Sequence, residues 1–113
     1  MSAPAFKDRL RADLKAAMQA RDADTVKVLR ALIAAVDNAE AVAVAPEPYQ
    51  SRAFGDPASE VPRRVLDRDA IDAILAAETA SRLSAADDYE QHGRPEEAAR
   101  LRGEAALIAR YRI

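Results

Sequence analysis

A helical pattern running from Asp69 to Tyr111, interrupted once at Gln91-His92-Gly93-Arg94-Pro95, constrains this chain more than any other feature. Upstream of the interruption, Ile71, Ile74, Leu75, Ala85, Ala86 and Tyr89 recur at three- and four-residue steps, which aligns them on one face of a helix. Downstream, Ala98, Leu101, Ala105 and Ile108 repeat that spacing. Gly93 tolerates the left-handed conformation that ends a helix, and Pro95, with no amide hydrogen to lose, starts the next one. The spacing therefore predicts a helical hairpin. Within the apolar stripe of its first helix, Glu78 and Arg82 stand where Leu or Ile is expected.

The first half of the chain follows the same logic. A helix is predicted from about Pro4 to Arg21, with Phe6, Leu10, Leu14, Ala17 and Met18 as its apolar face and Lys7, Arg9, Arg11, Asp13 and Lys15 around it. Arg21-Asp22-Ala23-Asp24 supplies turn and N-cap chemistry, because an aspartate side chain accepts from the free amides of a starting helix. The next helix buries Val26, Leu29, Leu32, Ile33 and Val36 and ends near Asn38 to Ala41, which makes a second hairpin.

From Ala41 to Val65 the composition changes. Ala41-Val42-Ala43-Val44-Ala45 alternates as a strand would, but a lone strand has nothing to pair with, and Pro46, Pro48, Gly55, Asp56, Pro57 and Pro62 break whatever follows. Residues 42–65 are therefore expected to form a Pro-rich loop, with Tyr49 and Phe54 available to pin it to the bundle. Asp67 or Asp69 caps the helix beyond it. The expected fold is all-α, a single domain over 1–113 made of a small bundle of two helical hairpins with a long Pro-rich loop between them.

Composition narrows the function classes. A chain of 113 residues supports one core and buries somewhat over about 60% of its unfolded surface. Half of the residues are hydrophobic, but 28 of them are alanine and only 4% of the chain is aromatic, so each buried position removes little area from water. Stability is expected to be modest or lent by a partner. With a net charge of -2, the whole-molecule field does not attract nucleic acid, and any polyanion site must be a local patch. The lack of cysteine excludes a disulfide framework, a thiol nucleophile and a thiolate zinc site, and a single histidine excludes paired-histidine metal sites. No apolar run is long enough to span a bilayer, and Met1 to Lys15 lacks the apolar centre of a signal peptide. A soluble, cytoplasmic protein without membrane contact is expected.

Glu78 and Arg82 stand four apart with the acid on the N-terminal side, the favourable order for a helical ion pair. Partly buried, such a pair is a packing and register device; alternatively, Arg82 offers its planar fork to a phosphate or to a partner's carboxylate. Arg94, Arg100, Arg102, Arg110 and Arg112 make the last twenty residues locally positive against Glu96, Glu97 and Glu104. Such a cluster suits phosphate contacts, yet Glu96 with Arg100 and Arg100 with Glu104 are spaced for ordinary pairing. Arg102 and Arg110, with no acid at position 106, are the less compensated members. His92 lies at a helix end, where a cation meets exposed carbonyls favourably, and has no Ser or Cys partner for general-base work. Asp67, Asp69 and Asp72 lack the glycine and terminal glutamate of a calcium loop, and Gly55, Gly93 and Gly103 cannot cradle a phosphate. No catalytic residue, metal site or cofactor is expected.

The order of these pieces carries further meaning. Leu14-Lys15-Ala16-Ala17-Met18-Gln19-Ala20-Arg21-Asp22, then Val28-Leu29-Arg30-Ala31-Leu32-Ile33-Ala34-Ala35 with Asn38-Ala39-Glu40, then Glu78 and Arg82 before Tyr89-Glu90-Gln91-His92-Gly93-Arg94, then Glu104-Ala105-Ala106-Leu107-Ile108-Ala109-Arg110-Tyr111, resembles the GatB/YqeY domain family. The likeness spans both hairpins and matches a free-standing member reduced to the first helical domain. It implies an all-α, non-catalytic domain similar to the tail of the B subunit of the tRNA-dependent amidotransferase, a tRNA-contacting appendage whose enzyme makes bonds elsewhere. On that reading, Arg30, Arg82, Arg94, Arg102 and Arg110 are the candidate nucleic-acid contacts. The partners in view are tRNA, an amidotransferase or another protein, and a second copy of the chain. The alternatives are a protein-interaction or oligomerisation module without RNA binding, and an accessory component of a glutamine-dependent carbon-nitrogen ligase.

Overall fold

The computed structural model describes residues 2–44 and 66–112, which form four helices: α1 (Ala3–Gln19), α2 (Ala23–Val44), α3 (Arg68–Gln91) and α4 (Pro95–Ala109). α1 folds back on α2 and α3 on α4, and α2 carries the first hairpin against both helices of the second. The protein is an all-α bundle of two hairpins, with no strand among the described residues.

Three of the four helices start where a side chain accepts from a free amide. The Ser2 hydroxyl accepts from the Ala5 amide at 3.3 Å, the Asp22 carboxylate from the Thr25 amide at 3.2 Å, and the Asp67 carboxylate from the Ala70 amide at 2.8 Å. α4 has no side-chain cap and begins on Pro95, whose missing amide hydrogen leaves one fewer donor to satisfy.

Both hairpins turn through the same backbone device. After α3, Gly93 takes φ +72°, its amide donates to the Glu90 carbonyl, and the Arg94 amide donates to the Tyr89 carbonyl. After α1, the corresponding bonds run from Arg21 to Met18 and from Asp22 to Ala17, so Arg21 occupies the left-handed position with φ 56°. This pair of bonds satisfies the last carbonyls of each helix and reverses the chain. Glycine fits that conformation freely, whereas an L side chain there costs about 1 kcal/mol or more.

Two helix ends differ from the sequence expectation. α1 stops at Gln19 rather than Arg21, because Ala20 to Asp22 are taken up by the turn. α2 runs past Ala41 to Val44, so residues 42–44 are helical and not part of the Pro-rich loop. The chain meets its first breaker only at Pro46, which disfavours helix at the residue before it. The rest of that segment, with Tyr49 and Phe54, lies outside the described residues.

The core gathers Phe6 and Leu10 from α1, Val28, Leu29, Leu32 and Val36 from α2, Leu66, Ile71 and Leu75 at and in α3, and Ile108 from α4. Tyr111 closes it, meeting the Phe6 ring edge-on at 6.2 Å between centroids. Farther along the second hairpin the contact is made by alanines, with Ala86, Ala98 and Ala105 all buried. Small side chains let helix backbones approach closely but remove little area from water, so charged contacts carry more of the burden there. Met18 departs from the predicted apolar face: it is 51% exposed, in a depression lined by residues of the first hairpin.

The two turns generate a paired prediction. Arg21→Gly relieves the left-handed arginine and raises stability by about 1 kcal/mol, while Gly93→Ala introduces the same strain and lowers it by a similar amount. Urea denaturation with an unchanged slope is the measurement; a loss of stability in Arg21→Gly would contradict the turn assignment.

Candidate functional site

The charged groups sort into those consumed within the fold and those left for a partner. Arg82 belongs to the first set. Its Nη1 lies 3.1 Å from Glu78 Oε1, the pair predicted from the spacing, and its Nε lies 3.2 Å from Oε1 of Glu104 on α4. Arg82 Nη1 also donates to the Glu78 carbonyl at 3.1 Å, and Arg100 Nη1 meets Glu104 Oε2 at 3.1 Å. Glu104 is 6% exposed, so Glu78, Arg82, Glu104 and Arg100 form an alternating chain of charges that joins α3 to α4. A buried acid with two arginines is satisfied; removing one member of such a set typically costs about 3–5 kcal/mol.

Most remaining arginines of the second hairpin are paired as well. Arg102, expected to be poorly compensated, reaches across the hairpin to Asp87 at 3.0 Å and Glu90 at 2.6 Å. Its acids lie on the facing helix, which spacing along α4 alone does not reveal. Arg94 binds Glu97 at 2.6 Å and stacks over the Tyr89 ring at 5.6 Å. Arg112 grips Asp72 with two bonds of 3.1 Å. His92 is the C-terminal cap of α3, with a ring nitrogen 2.7 Å from the Asp88 carbonyl.

The first hairpin has its own clamp. Lys7 on α1 lies 2.7 Å from Glu40 and 3.1 Å from Asp37 on α2, and the contact with Glu40, itself 7% exposed, is the main cause that holds the lysine above its usual range. Nothing in the helical periodicity marks these residues as partners, because they meet only when α1 folds back on α2.

Two of the five nucleic-acid candidates, Arg30 and Arg110, make no ion pair among the described residues. They lie in different places. Arg110 and Arg9 border a depression of about 390 Å³ with Asp13, Thr25, Leu29, Leu107 and Tyr111, where Arg9 stacks on the Tyr111 ring at 4.6 Å. Arg30 sits at the turn end of the first hairpin, in a depression of about 620 Å³ shared with Met18, Arg21, Ala23, Val26 and Lys27. Its guanidinium lies 4.0 Å from the Met18 sulfur. From sequence, Met18 is expected in a buried apolar face and Arg21 in a turn, and Lys27 has no assigned role, although Ala23, Lys27 and Arg30 fall at the spacing of one helix face. The missing information was that none of the described residues covers the end of α1.

Asp67 and Asp72 are committed to a cap and an ion pair, and among the described residues no group of three or more His, Cys, Asp or Glu side chains is placed to hold a metal ion. No described helix is long and apolar enough to cross a membrane. In comparisons with known proteins, no family model matches the chain and no curated protein is significantly similar to it.

Tyr111 gives the molecule an alkaline dependence. Burial first, and its hydroxyl bond to the Asp13 carboxylate second, push its pKa from 10.0 up to about 12. Between those values the unfolded tyrosine is ionised while the folded one keeps its proton, so stability present below pH 10 is lost as pH rises toward 12. The raised Lys7 acts in the same direction. Ultraviolet titration is expected to show one tyrosine ionising near pH 12, a step that Tyr111→Phe removes together with part of the alkaline loss in melting temperature. Complete tyrosine ionisation near pH 10 in the folded state would contradict the placement of Tyr111.

Proposed function

We propose that this chain is a non-catalytic helical docking domain of the GatB/YqeY kind, a cytoplasmic adaptor that associates with the machinery of tRNA-dependent amidation. The likeness of its ordered motifs to that family supports the kind of domain. The observation that favours docking onto protein is the internal neutralisation of the second hairpin: Arg82, Arg94, Arg100, Arg102 and Arg112 each face an acid of the same chain. A guanidinium already held by a carboxylate must give up that bond before it meets a phosphate, which removes most of its gain. As an accessory component of a glutamine-dependent carbon-nitrogen ligase, the domain would hold or position an enzyme that makes the bond.

Direct binding of tRNA is the second reading, carried by Arg30 and Arg110, which keep their donors free of acids among the described residues. It differs from docking in its dependence on salt. Two phosphate contacts give log Kd a slope of about 2 against log salt, while engagement of all five candidates gives a slope of about 4 to 5. The test mixes the full chain with a purified tRNA-dependent amidotransferase and, separately, with tRNA across a salt series. Docking predicts a complex with the enzyme that survives ribonuclease and only weak, shallow-sloped tRNA binding. A complex that ribonuclease dissolves, or tight tRNA binding with a slope near 5 that Arg82→Ala and Arg102→Ala weaken, would overturn it.

A further inference from the structure

We infer that the turn end of the first hairpin is a docking surface for an acidic amphipathic helix of a protein partner. One apolar side chain of that helix seats on Met18 and Val26, and its carboxylates pair with Arg21, Lys27 and Arg30. The inference rests on the docking reading above and names its surface.

Charge complementarity selects the occupant. Three cations border the depression and no acid does. They are also among the groups the fold leaves over: none of Arg21, Lys27 and Arg30 makes an ion pair among the described residues, in contrast to Arg82, Arg94, Arg100 and Arg102. Lys27 and Arg30 project from one face of α2, and the turn that ends α1 presents Arg21 beside them. Glycine would occupy the Arg21 position with less strain, so what the arginine supplies there is its side chain.

The floor of the depression separates a peptide from a nucleic acid. Met18 is 51% exposed, and together with Ala23 and Val26 it makes an apolar surface inside the ring of cations. A phosphate backbone gains nothing from such a floor, whereas a leucine or phenylalanine of a partner helix is drawn from water onto it. The unbranched thioether adjusts its rotamers to the shape it meets, as methionines do on peptide-binding surfaces. An apolar anchor flanked by carboxylates at three- and four-residue spacing therefore matches both the chemistry and the helical geometry of this corner.

The experiment titrates the full chain with a labelled synthetic peptide of about five helical turns, with leucines along one face and glutamates elsewhere. Polyglutamate of equal length and a single-stranded RNA of comparable charge serve as competing probes. Saturable peptide binding that shifts the amide resonances of residues 17–30 is expected. The exposed substitution Met18→Ser and the double substitution Lys27→Glu with Arg30→Glu should each weaken it about tenfold or more, with unchanged circular dichroism, while Arg102→Glu on the other hairpin leaves it intact. Polyglutamate binding as tightly as the peptide would overturn the apolar anchor, and RNA binding more tightly through the same residues would overturn the protein partner. Absence of saturable peptide binding would overturn the surface itself. Amidotransferase binding equally tight for the wild-type chain and for all these variants would overturn this corner as the surface while leaving docking in place.

Discussion

Glu104 is the charge on which the second hairpin depends. It is nearly excluded from water, and it accepts from Arg82 of the neighbouring helix and Arg100 of its own, while Arg82 reaches on to Glu78. Where α3 and α4 meet mainly through alanines, hydrophobic burial per contact is small, and an ionic chain of fixed length sets which residues face each other. Such a chain adds little net stability over an apolar contact, because desolvation offsets attraction. What it adds is register: a one-turn slip would break the Arg82–Glu104 contact, the one link of the chain that crosses between the helices, and leave Glu104 with Arg100 alone.

The same arrangement determines what the surface can offer. Arginines engaged with Glu78, Asp87, Glu90, Glu97, Glu104 and Asp72 leave the α3–α4 hairpin without a cationic excess: from Asp67 to Arg112 seven arginines stand against ten acids. The first hairpin neutralises Lys7 in its interior with Asp37 and Glu40, yet leaves Arg21, Lys27 and Arg30 at its turn. Charge is therefore distributed unevenly: it is paired along the helix interfaces, and among the described residues three unpaired cations gather at the turn end of the first hairpin beside an exposed methionine.

Features that depend on neighbours along the chain were legible in the amino-acid order. Gly93 and Pro95 bring their turn and start with them, Asp22 and Asp67 cap the helices that follow, and Glu78 lies one helical turn from Arg82. Features that depend on what folds against them were not. Glu104 looks like one member of a solvated helical pair with Arg100, and only the approach of α3 turns it into a shared buried acid. Arg102 looks uncompensated until Asp87 and Glu90 arrive from the other helix. Met18 has the periodicity of a core residue, but burial requires a cover as well as a face, and none of the described residues supplies one where α1 ends. The cationic corner was hidden for the same reason, with only Arg30 identified in advance.

The division between consumed and available arginines is open to direct chemical measurement. Brief labelling of the native full chain with an arginine-selective dicarbonyl, read by mass spectrometry peptide by peptide, compares Arg82, 16% exposed and held by two acids, with the solvent-facing Arg30. Arg30 and Arg21 should label many times faster than Arg82, and the difference should vanish in denaturant. Equal native rates at Arg82 and Arg30 would mean that the α3–α4 ionic chain does not hold its arginine, and the account of how this surface is partitioned would be wrong.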